Sequence, residues 1–153
     1  MIKLGKLTDY AIAVMGQLAH EGPESACSAH HLSGKTGIPE PTVAKVLKLL
    51  SKEDLVTSAR GAAGGYRLVQ TAEQVSIGEI IAAMEGPVEI VACVDGQESN
   101  CNMSGTCPTK GNWNRVNDAI KSALEGVKLR DMMTPPRPAT VHILMKDINV
   151  NRA

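Results

Sequence analysis

The stretch that decides the fold is Pro39–Leu68, PEPTVAKVLKLLSKEDLVTSARGAAGGYRL. Its two prolines favour a helix start, because the backbone N–H groups that proline lacks would have no partner in the first turn. At about 100° per residue, this helix sorts its side chains onto two faces. One face is aliphatic, with Val43, Val46, Leu47 and Leu50. The opposite face is cationic, with Lys45, Lys48 and Lys52. Two short β-prone runs around a glycine-rich loop then predict a hairpin.

Two further helices are predicted before this stretch. The first begins with Thr8 as its cap and continues to His20, and the second begins at Ser28 and ends at Gly37. Two helices, a tight turn, a basic helix and a glycine-rich hairpin are typical of a winged helix-turn-helix. We therefore predict a mostly α fold: a winged helix-turn-helix with a small β-hairpin wing, plus a long C-terminal dimerisation helix.

The C-terminal half predicts that dimerisation helix. Ser76 and Glu79 have the spacing of a capping box, so a helix begins there and ends near Gly86. After an irregular stretch, Asn112 is expected to cap a long helix that reaches about Met132. Its apolar stripe, suited to packing on another helix, is Trp113, Val116, Ile120, Leu124 and Val127. The predicted units are 1–86 winged helix-turn-helix, 87–112 cysteine loop, 113–133 dimerisation helix and 134–153 tail.

Composition excludes several classes of protein. The hydrophobic content of 43% is too high for a disordered chain, and the formal net charge of zero indicates no partner by itself. Phe is absent, so the core is expected to be aliphatic. No apolar run is long enough to span a membrane, and the N-terminus lacks the apolar stretch of a signal peptide, so we expect a cytoplasmic protein with no membrane partner. No catalytic constellation or phosphate loop is present, so no enzyme is predicted.

The basic helix and the glycine-rich loop are candidates for contact with double-stranded DNA. Lysines on such a helix can reach phosphates and base edges in the major groove, and arginines on the wing can reach the backbone or the minor groove. A solvated surface helix is the alternative, since three exposed lysines are common on any protein. The predicted DNA-binding residues are Thr42, Lys45, Lys48, Lys52, Arg60, Gly64, Gly65 and Arg67.

Three of the four cysteines form a C-x7-C-x5-C pattern: Cys93, Cys101 and Cys107. Thiolates in a loop can ligate an iron–sulfur cluster, although one terminal ligand is then missing. A zinc site is a second interpretation, but the usual C-x2-C pairs are absent. The third interpretation is that the three thiols are incidental and share no function. Cys27 is predicted to be a small buried hydrophobe. Each of His20, His30, His31 and His142 could be a ligand, but surface or capping roles are the prediction for them.

Several motifs together resemble the IscR/NsrR/RirA family of winged-helix iron–sulfur regulators. They are Lys6–Ala11 (KLTDYA), the wing Arg60–Leu68 (RGAAGGYRL), the helix end with Ile80 and Met84–Gly86 (MEG), and the three-cysteine loop. The stretches Cys107–Trp113 (CPTKGNW) and Ala123–Val127 (ALEGV) are most similar to the subgroup that regulates the SUF cluster-assembly operon. The resemblance covers about residues 1–133.

The resemblance implies a homodimer joined by the long helix, with a [2Fe-2S] or [4Fe-4S] cluster near the dimer interface. It implies Cys93, Cys101 and Cys107 as ligands, with Asp9 of the partner subunit at the position where some relatives use a carboxylate. Other relatives use a histidine three residues after the last cysteine, where this chain has Lys110.

The predicted function is that of a transcriptional regulator whose operator binding is controlled by an iron–sulfur cluster, regulating cluster-assembly (SUF) genes. Two alternatives stay open at this point. One is a metal-free thiol redox sensor, and the other is a zinc-stabilised winged-helix DNA-binding protein.

Overall fold

The computed structural model describes residues 3–59, 61, 64–91, 106–109 and 111–134. Its helices and strands, in chain order, are α1 Lys6–Glu21, α2 Ala29–Thr36, α3 Glu40–Lys52, β1 Val56–Ala59, β2 Gly65–Leu68, α4 Ile77–Glu85, α5 Asn112–Gly126 and α6 Leu129–Met133. This mostly helical chain with one small sheet confirms the predicted fold class. Cys93, Cys101, Arg60 and the predicted tail after Thr134 lie outside the described residues.

The helix-turn-helix is formed by α2 and α3, and local sequence signals set its ends. Ser28 Oγ accepts a hydrogen bond from the backbone N–H of His31 at 3.1 Å, which caps α2. Gly37 ends α2 in the left-handed conformation, with φ 72°, and its N–H donates to the carbonyl of Ser33 at 2.9 Å. Pro39 is the N-cap of α3. The predicted bounds of α2 and the predicted start of α3 are confirmed.

An aliphatic core holds the three helices and the hairpin together. The predicted inward face of α3, Val43, Val46, Leu47 and Leu50, has no exposed surface. It packs in one cluster with the buried face of α1 and with residues from β1, α4 and α6. Truncating one of these leucines to alanine typically costs about 2–5 kcal/mol, so this cluster is a major source of stability.

The wing is an antiparallel hairpin, as predicted. Strand β1 pairs with β2 so that Val56 lies opposite Leu68 and Ala59 lies opposite Gly65. The start of β2 is joined to the segment before α2 by an isolated bridge between Cys27 and Tyr66. The wing is therefore hydrogen-bonded to the connection between α1 and α2.

Helix α1 begins earlier than the sequence predicted. Its N-cap is Gly5, with no side-chain cap, and Thr8 is a buried residue of the first turn. Thr8 Oγ1 donates a hydrogen bond to Glu85 Oε1 of α4, and the same oxygen accepts the backbone N–H of Gly5 at 2.6 Å. The prediction that Thr8 caps the helix was wrong, because a carboxylate from a distant helix satisfies these donors instead.

Helix α4 has the predicted capping box. Ser76 Oγ accepts the N–H of Glu79 at 3.2 Å, and Glu79 Oε2 accepts the N–H of Ser76 at 2.7 Å. Ser76 Oγ also donates to Glu79 Oε2 at 2.7 Å. The two hydrogen bonds that Ser76 donates to this carboxyl, with the backbone one first, hold the pKa of Glu79 below its usual range. The helix ends before Gly86, as predicted.

The predicted single helix over 113–133 is instead two helices. Val127 adopts an extended conformation, and its carbonyl accepts the N–H of Ile77 at 2.9 Å. Leu129 N–H then donates to the carbonyl of Val75, also at 2.9 Å. These contacts pull the chain against the start of α4, so the helix breaks there. The predicted cap at Asn112 was also wrong, since Gly111 is the N-cap, in the left-handed conformation and without a side-chain hydrogen bond.

None of the helices in the described ranges combines the length and the apolar character that a membrane span requires.

Candidate nucleic-acid interface and cysteine segment

Helix α3 presents its lysines to solvent, opposite the buried face. Lys45, Lys48 and Lys52 are all exposed, while Thr42 is half-buried one turn before them. Among the described residues, none of these lysines takes part in an ion pair. Cations without a carboxylate partner are available to neutralise an external anion, and DNA phosphates are such anions.

The wing adds a second cationic element beside α3. Arg67 is exposed on β2, where it lies opposite Thr57 of β1. Gly64 closes the tip of the loop by donating its N–H to the carbonyl of Gly61 at 2.9 Å. An exposed arginine on a narrow hairpin is suited to contact with a phosphate backbone or a minor groove.

Gly65 has a structural role that the sequence did not indicate. A Cβ atom at this position would lie 2.6 Å from the backbone carbonyl carbon of Cys27. The close approach lets Tyr66 and Cys27 exchange two backbone hydrogen bonds, of 2.9 Å and 2.8 Å. Contact of Gly65 with DNA stays a prediction, since packing already accounts for a glycine there.

The predicted cluster ligands are only partly within the described residues. Cys107 lies just before α5, half-buried, with its Sγ 3.2 Å from Thr109 Oγ1. Asp9 is exposed on the first turn of α1. The structure of one chain does not bring Asp9 into a group with Cys107 among the described residues. The ligand set from Cys93, Cys101, Cys107 and the partner's Asp9 therefore stays a prediction.

The chemistry of the predicted donor set can be tested against an iron–sulfur cluster. Such clusters are held mainly by cysteine thiolates, and a non-cysteine ligand at one iron is known. Cys107 retains some access to solvent. It is therefore suited to be a terminal ligand, and the donor set fits this group.

Helix α5 carries the apolar stripe on a partly exposed face. Trp113 is 38% exposed and Val116 is 45% exposed. Ile120 is half-buried, and Leu124 packs against the core through α4. Val127 belongs to the break after the helix and is also exposed. The exposed members of the stripe are thus Trp113 and Val116 at its N-terminal end and Val127 after the helix.

Sequence reasoning missed Asn117, which forms a hydrogen bond with the beginning of the predicted cysteine loop, residues 87–112, called the cysteine segment below. This side chain is fully buried on α5, and its Oδ1 accepts the backbone N–H of Ile90 at 3.2 Å. Its Nδ2 makes no hydrogen bond to the described residues. The sequence offered one signal, a polar residue between the apolar positions of the stripe. Such a residue can be buried if its amide forms a hydrogen bond with the backbone.

A second group of ligating side chains was also missed: Glu21, Cys27 and His31. Burial of Cys27 is confirmed, and burial, followed by the nearby Glu21 carboxylate, raises the pKa of its thiol. The hydrogen bond with His31, followed by the one from Gln17, lowers the pKa of Glu21. The side chain of His31 is 42% exposed at the surface, and it faces the Glu21 carboxylate rather than solvent alone.

The exposed basic helix, the preceding short helix and the hairpin define a winged helix-turn-helix protein of the DNA-binding class. More specifically, residues 4–135 match the family model Rrf2, described as an iron-dependent transcriptional regulator. The chain belongs to the Rrf2 family of transcriptional regulators. The resemblance to this family of winged-helix regulators is confirmed.

Several members of the family are similar along most of this chain. The regulator NsrR of Bacillus subtilis is 30% identical over 86% of this chain and 90% of its own length. The regulator IscR of Aliivibrio salmonicida is 30% identical over 86% of this chain and 77% of its own length. These relatives are transcriptional regulators, in agreement with the absence of a predicted enzyme activity.

Solved structures agree with the fold. A structure described as CymR, the global cysteine regulator of B. subtilis, superposes with a TM-score of 0.67 and 26% identity, covering 87% of this chain and 97% of that one. A structure of IscR from T. potens gives a TM-score of 0.63 and 27% identity, covering 86% of both chains.

Proposed function

We propose that this chain is a cytoplasmic, homodimeric regulator whose binding to operator DNA is controlled by an iron–sulfur cluster. Its target genes are those of the SUF cluster-assembly system. The observation that carries the proposal is the exposed lysine face of α3, on the same chain as a three-cysteine segment that leads directly into α5. The first surface can bind DNA, and the second is where a cluster would be held.

Operator binding uses α3 as the recognition helix. In this class of protein, the recognition helix lies in the major groove with its N-terminal residues at base edges. Thr42 and Lys45 lie in that part of α3, while Lys48 and Lys52 are further along and are assigned to phosphates. Arg67, together with Arg60 and Gly64, is assigned to the wing contact. Two such helices in a dimer read half-sites that are about 34–36 Å apart.

The cluster is assigned to Cys93, Cys101 and Cys107, with Asp9 of the partner subunit as the fourth ligand. Its nuclearity is [2Fe-2S] or [4Fe-4S]. When bound, the group supplies a redox-sensitive centre that is lost or converted when iron is scarce or oxidants rise. A carboxylate oxygen is a harder ligand than a thiolate, so Asp9 holds its position less firmly than the cysteines hold theirs.

The protein's own residues can relay a change in the cysteine segment to the dimer. Asn117 bonds α5 to Ile90, where the segment begins, and Cys107 lies five residues before α5 at the other end. A rearrangement between these two points therefore acts on α5 from both sides. Trp113 and Val116, on the open part of its stripe, are the proposed dimer contacts, with Ile120, Leu124 and Val127 beside them.

Anaerobic purification tests the cluster directly. We expect brown protein containing iron and acid-labile sulfide, and a loss of the visible absorption in each of the variants Cys93→Ser, Cys101→Ser and Cys107→Ser. Cys27→Ala is the matched control and should keep its full colour. Asp9→Asn should lose its absorption faster in air than the wild type, while Glu24→Gln, an exposed acid after α1, should not. Colour that survives all three cysteine variants would contradict the proposal.

A cluster-free thiol sensor is the second candidate, and the similarity to CymR favours it. It predicts colourless protein from the same anaerobic preparation, with DNA binding that responds to oxidants alone. Zinc found in stoichiometric amount in the cysteine segment would instead support the zinc-stabilised form.

The DNA half of the proposal is tested separately by titrating protein into a fragment that carries the promoter of SUF-type genes. Holo and apo protein should differ in affinity for it. Equal affinity of the two forms for this fragment and for unrelated DNA would contradict control of operator binding by the cluster.

A further inference from the structure

Three metal-ligating side chains lie together where α1, α2 and the wing meet. Glu21 is the last residue of α1, Cys27 follows in the connection, and His31 is in the first turn of α2. One ligand atom from each of these side chains lies within 4.8 Å of the other two. Over the part of the chain that the structure describes, this is the one such group of three.

We propose that Glu21, Cys27 and His31 bind a divalent cation of the zinc class, with water as a fourth ligand. A thiolate, an imidazole and a carboxylate are all ligands that zinc accepts in tetrahedral sites. The hard ions magnesium and calcium prefer oxygen and would leave the thiol unused. None of the residues assigned to the cluster or to DNA takes part, so this site stands independently of the proposed function.

The distances suit a tetrahedral ion. Zinc bonds of about 2.0–2.3 Å place neighbouring ligand atoms about 3.3–3.6 Å apart. His31 Nε2 lies 3.0 Å from Glu21 Oε1, and the other pairs lie no further than 4.8 Å apart. Side-chain shifts of about 1 Å are enough to reach bonding distances.

Each ligand is held in place by a hydrogen bond of its own. Gln17 Nε2 donates to Glu21 Oε1 at 2.8 Å, and the backbone of His31 is fixed by the α2 cap, Ser28. Cys27 is fixed by its two backbone hydrogen bonds with Tyr66. Such outer partners orient metal ligands and raise the affinity of a site, because less freedom is lost when the ion binds.

The burial of the three side chains gives the site a closed and an open side. Cys27 is only 5% exposed, while the side chains of Glu21 and His31 are 24% and 42% exposed. The ion therefore enters past the carboxylate and the imidazole and meets the thiol at the bottom. A cysteine thiol ordinarily keeps its proton near neutral pH, so the thiol is protonated before the ion arrives.

Proton balance follows from these states. Binding replaces the thiol proton by the metal, so one proton leaves to solvent for each ion bound. The His31–Glu21 hydrogen bond is exchanged for two metal bonds, and the ring proton that His31 Nε2 donates to Glu21 is exchanged through solvent to Nδ1, which frees Nε2 to bind the ion. Lys35, which also lowers the pKa of Glu21, contributes a nearby positive charge that opposes the cation.

A bound ion would connect three elements of the DNA-binding unit. Glu21 belongs to α1 and His31 to α2, and Cys27 is hydrogen-bonded to the wing strand β2. Ligation therefore restrains the wing relative to the helix-turn-helix. We expect the ion to raise the midpoint of thermal unfolding, because it binds the folded chain in preference to the unfolded one.

Cobalt titration of the full chain tests the site. The thiols of the cysteine segment are first removed as Cys93→Ser, Cys101→Ser and Cys107→Ser, so that Cys27 is the remaining cysteine. Anaerobic addition of Co²⁺ should produce a thiolate-to-cobalt charge-transfer band that saturates at one equivalent. Zn²⁺ should then bleach the band, since zinc binds such a site more tightly than cobalt and displaces it.

Variants at the site separate ligation from other effects. His31→Gln should weaken cobalt binding at least tenfold, and Gln17→Ala about tenfold, as is usual for an outer-shell partner. His30→Gln is the matched control, because His30 is the adjacent histidine and bonds to Glu40 instead, at 2.9 Å. Its affinity for cobalt should equal that of the parent. Cys27→Ser should abolish the charge-transfer band.

Three outcomes would overturn the proposal: no thiolate band in the parent variant, a band that survives Cys27→Ser, or equal affinities for His31→Gln and His30→Gln. If Cys27→Ser fails to fold, variants at the two more exposed ligands, Glu21→Gln and His31→Gln, still decide the matter. Anaerobic wild-type protein reports on the cluster by its colour, so failure of the two proposals is distinguishable.

Discussion

Gly65→Ala is predicted to destabilise the fold by breaking the connection between the wing and the first half of the helix-turn-helix. A Cβ atom at this position would lie 2.6, 2.7 and 2.8 Å from the carbonyl carbon, oxygen and nitrogen of Cys27. These are backbone atoms, so no side-chain rotation can relieve the clash. The backbone at Gly65 must move away from the backbone at Cys27, so the hydrogen bonds between Cys27 and Tyr66 are lost.

The size of the effect follows from those two hydrogen bonds. Each contributes about 0.5–1.5 kcal/mol, so we expect a loss of about 1–3 kcal/mol in the free energy of unfolding. In urea, with a slope of about 2 kcal/mol/M, the midpoint should fall by about 1 M. The slope itself should stay unchanged, because the same surface is exposed on unfolding.

Gly34→Ala is the matched control for this measurement. Gly34 lies inside α2, and an added Cβ there meets no atom within 4 Å. Alanine should stabilise the helix by about 0.5–1 kcal/mol, so the two substitutions should move the midpoint in opposite directions. A Gly65→Ala midpoint at or above that of the wild type would refute the packing argument. If DNA affinity falls while the midpoint stays unchanged, Gly65 is a DNA contact instead.

Three further predictions concern α3, α4 and α5. Lys48→Ala should lower the salt dependence of operator binding by a slope of about one, as measured by binding titrations at several salt concentrations, and an unchanged slope would exclude a phosphate contact. Ser76→Ala should cost about 0.5–2 kcal/mol in urea unfolding, because α4 loses its cap. Because the pKa of Glu79 is lowered in the folded chain, its carboxylate stabilises the fold at pH values above the usual carboxyl pKa, and this stabilisation is lost as the pH falls through the lowered pKa. The loss of unfolding free energy in acid should therefore be smaller in Ser76→Ala than in the wild type. An equal loss in both proteins would contradict the argument. Val116→Glu should give monomers in sedimentation, because it places a charge in the proposed dimer contact, whereas Ser122→Glu, on the opposite face of α5, should stay dimeric; a dimeric Val116→Glu protein would move the interface elsewhere.

Sequence reasoning succeeded where a structural feature depends on residues close together in the chain. The two faces of α3 follow from helical periodicity alone, and Gly37 ends α2 because its left-handed conformation suits glycine. The capping box of Ser76 and Glu79 spans four residues and forms as its spacing predicts. Such features depend little on the rest of the fold, so a single sequence is enough to place them.

The errors come from partners that are far away in the chain. Thr8 does not cap α1, because it bonds to Glu85, 77 residues later. The helix predicted over 113–133 breaks at Val127, because the carbonyl of Val127 and the N–H of Leu129 pair with the backbone around the start of α4. The sequence pattern of residues 113–133 cannot predict this pairing, because the pairing depends on where α4 lies in the fold.

The candidate site shows the same difference between features set by nearby residues and features set by distant ones. The exposure of Lys45 and Lys48 was predictable from one helix, whereas the ligand trio was not. The spacing of Cys27 and His31 is visible in the sequence, but Glu21 is brought beside them only by the turn between α1 and α2. A thiol that is predicted correctly as buried can therefore still face a polar group, because burial says nothing about what it contacts.

The break at Val127 also bears on how the proposed dimer would influence DNA binding. Because α5 ends at Gly126 and the chain is then bonded to Ile77 and Val75, α5 cannot slide along α4 without breaking these backbone hydrogen bonds. A Cβ on Gly78 would already lie 3.4 Å from Glu125, so the two helices are also close-packed at this point. Helix α4 in turn packs against α1 and α3. A change in the cysteine segment would therefore move α5 and the winged-helix unit together, as a rigid body relative to the partner subunit. On this argument the proposed regulation alters the distance between the two α3 helices of the dimer, while the interior of each DNA-binding unit stays unchanged.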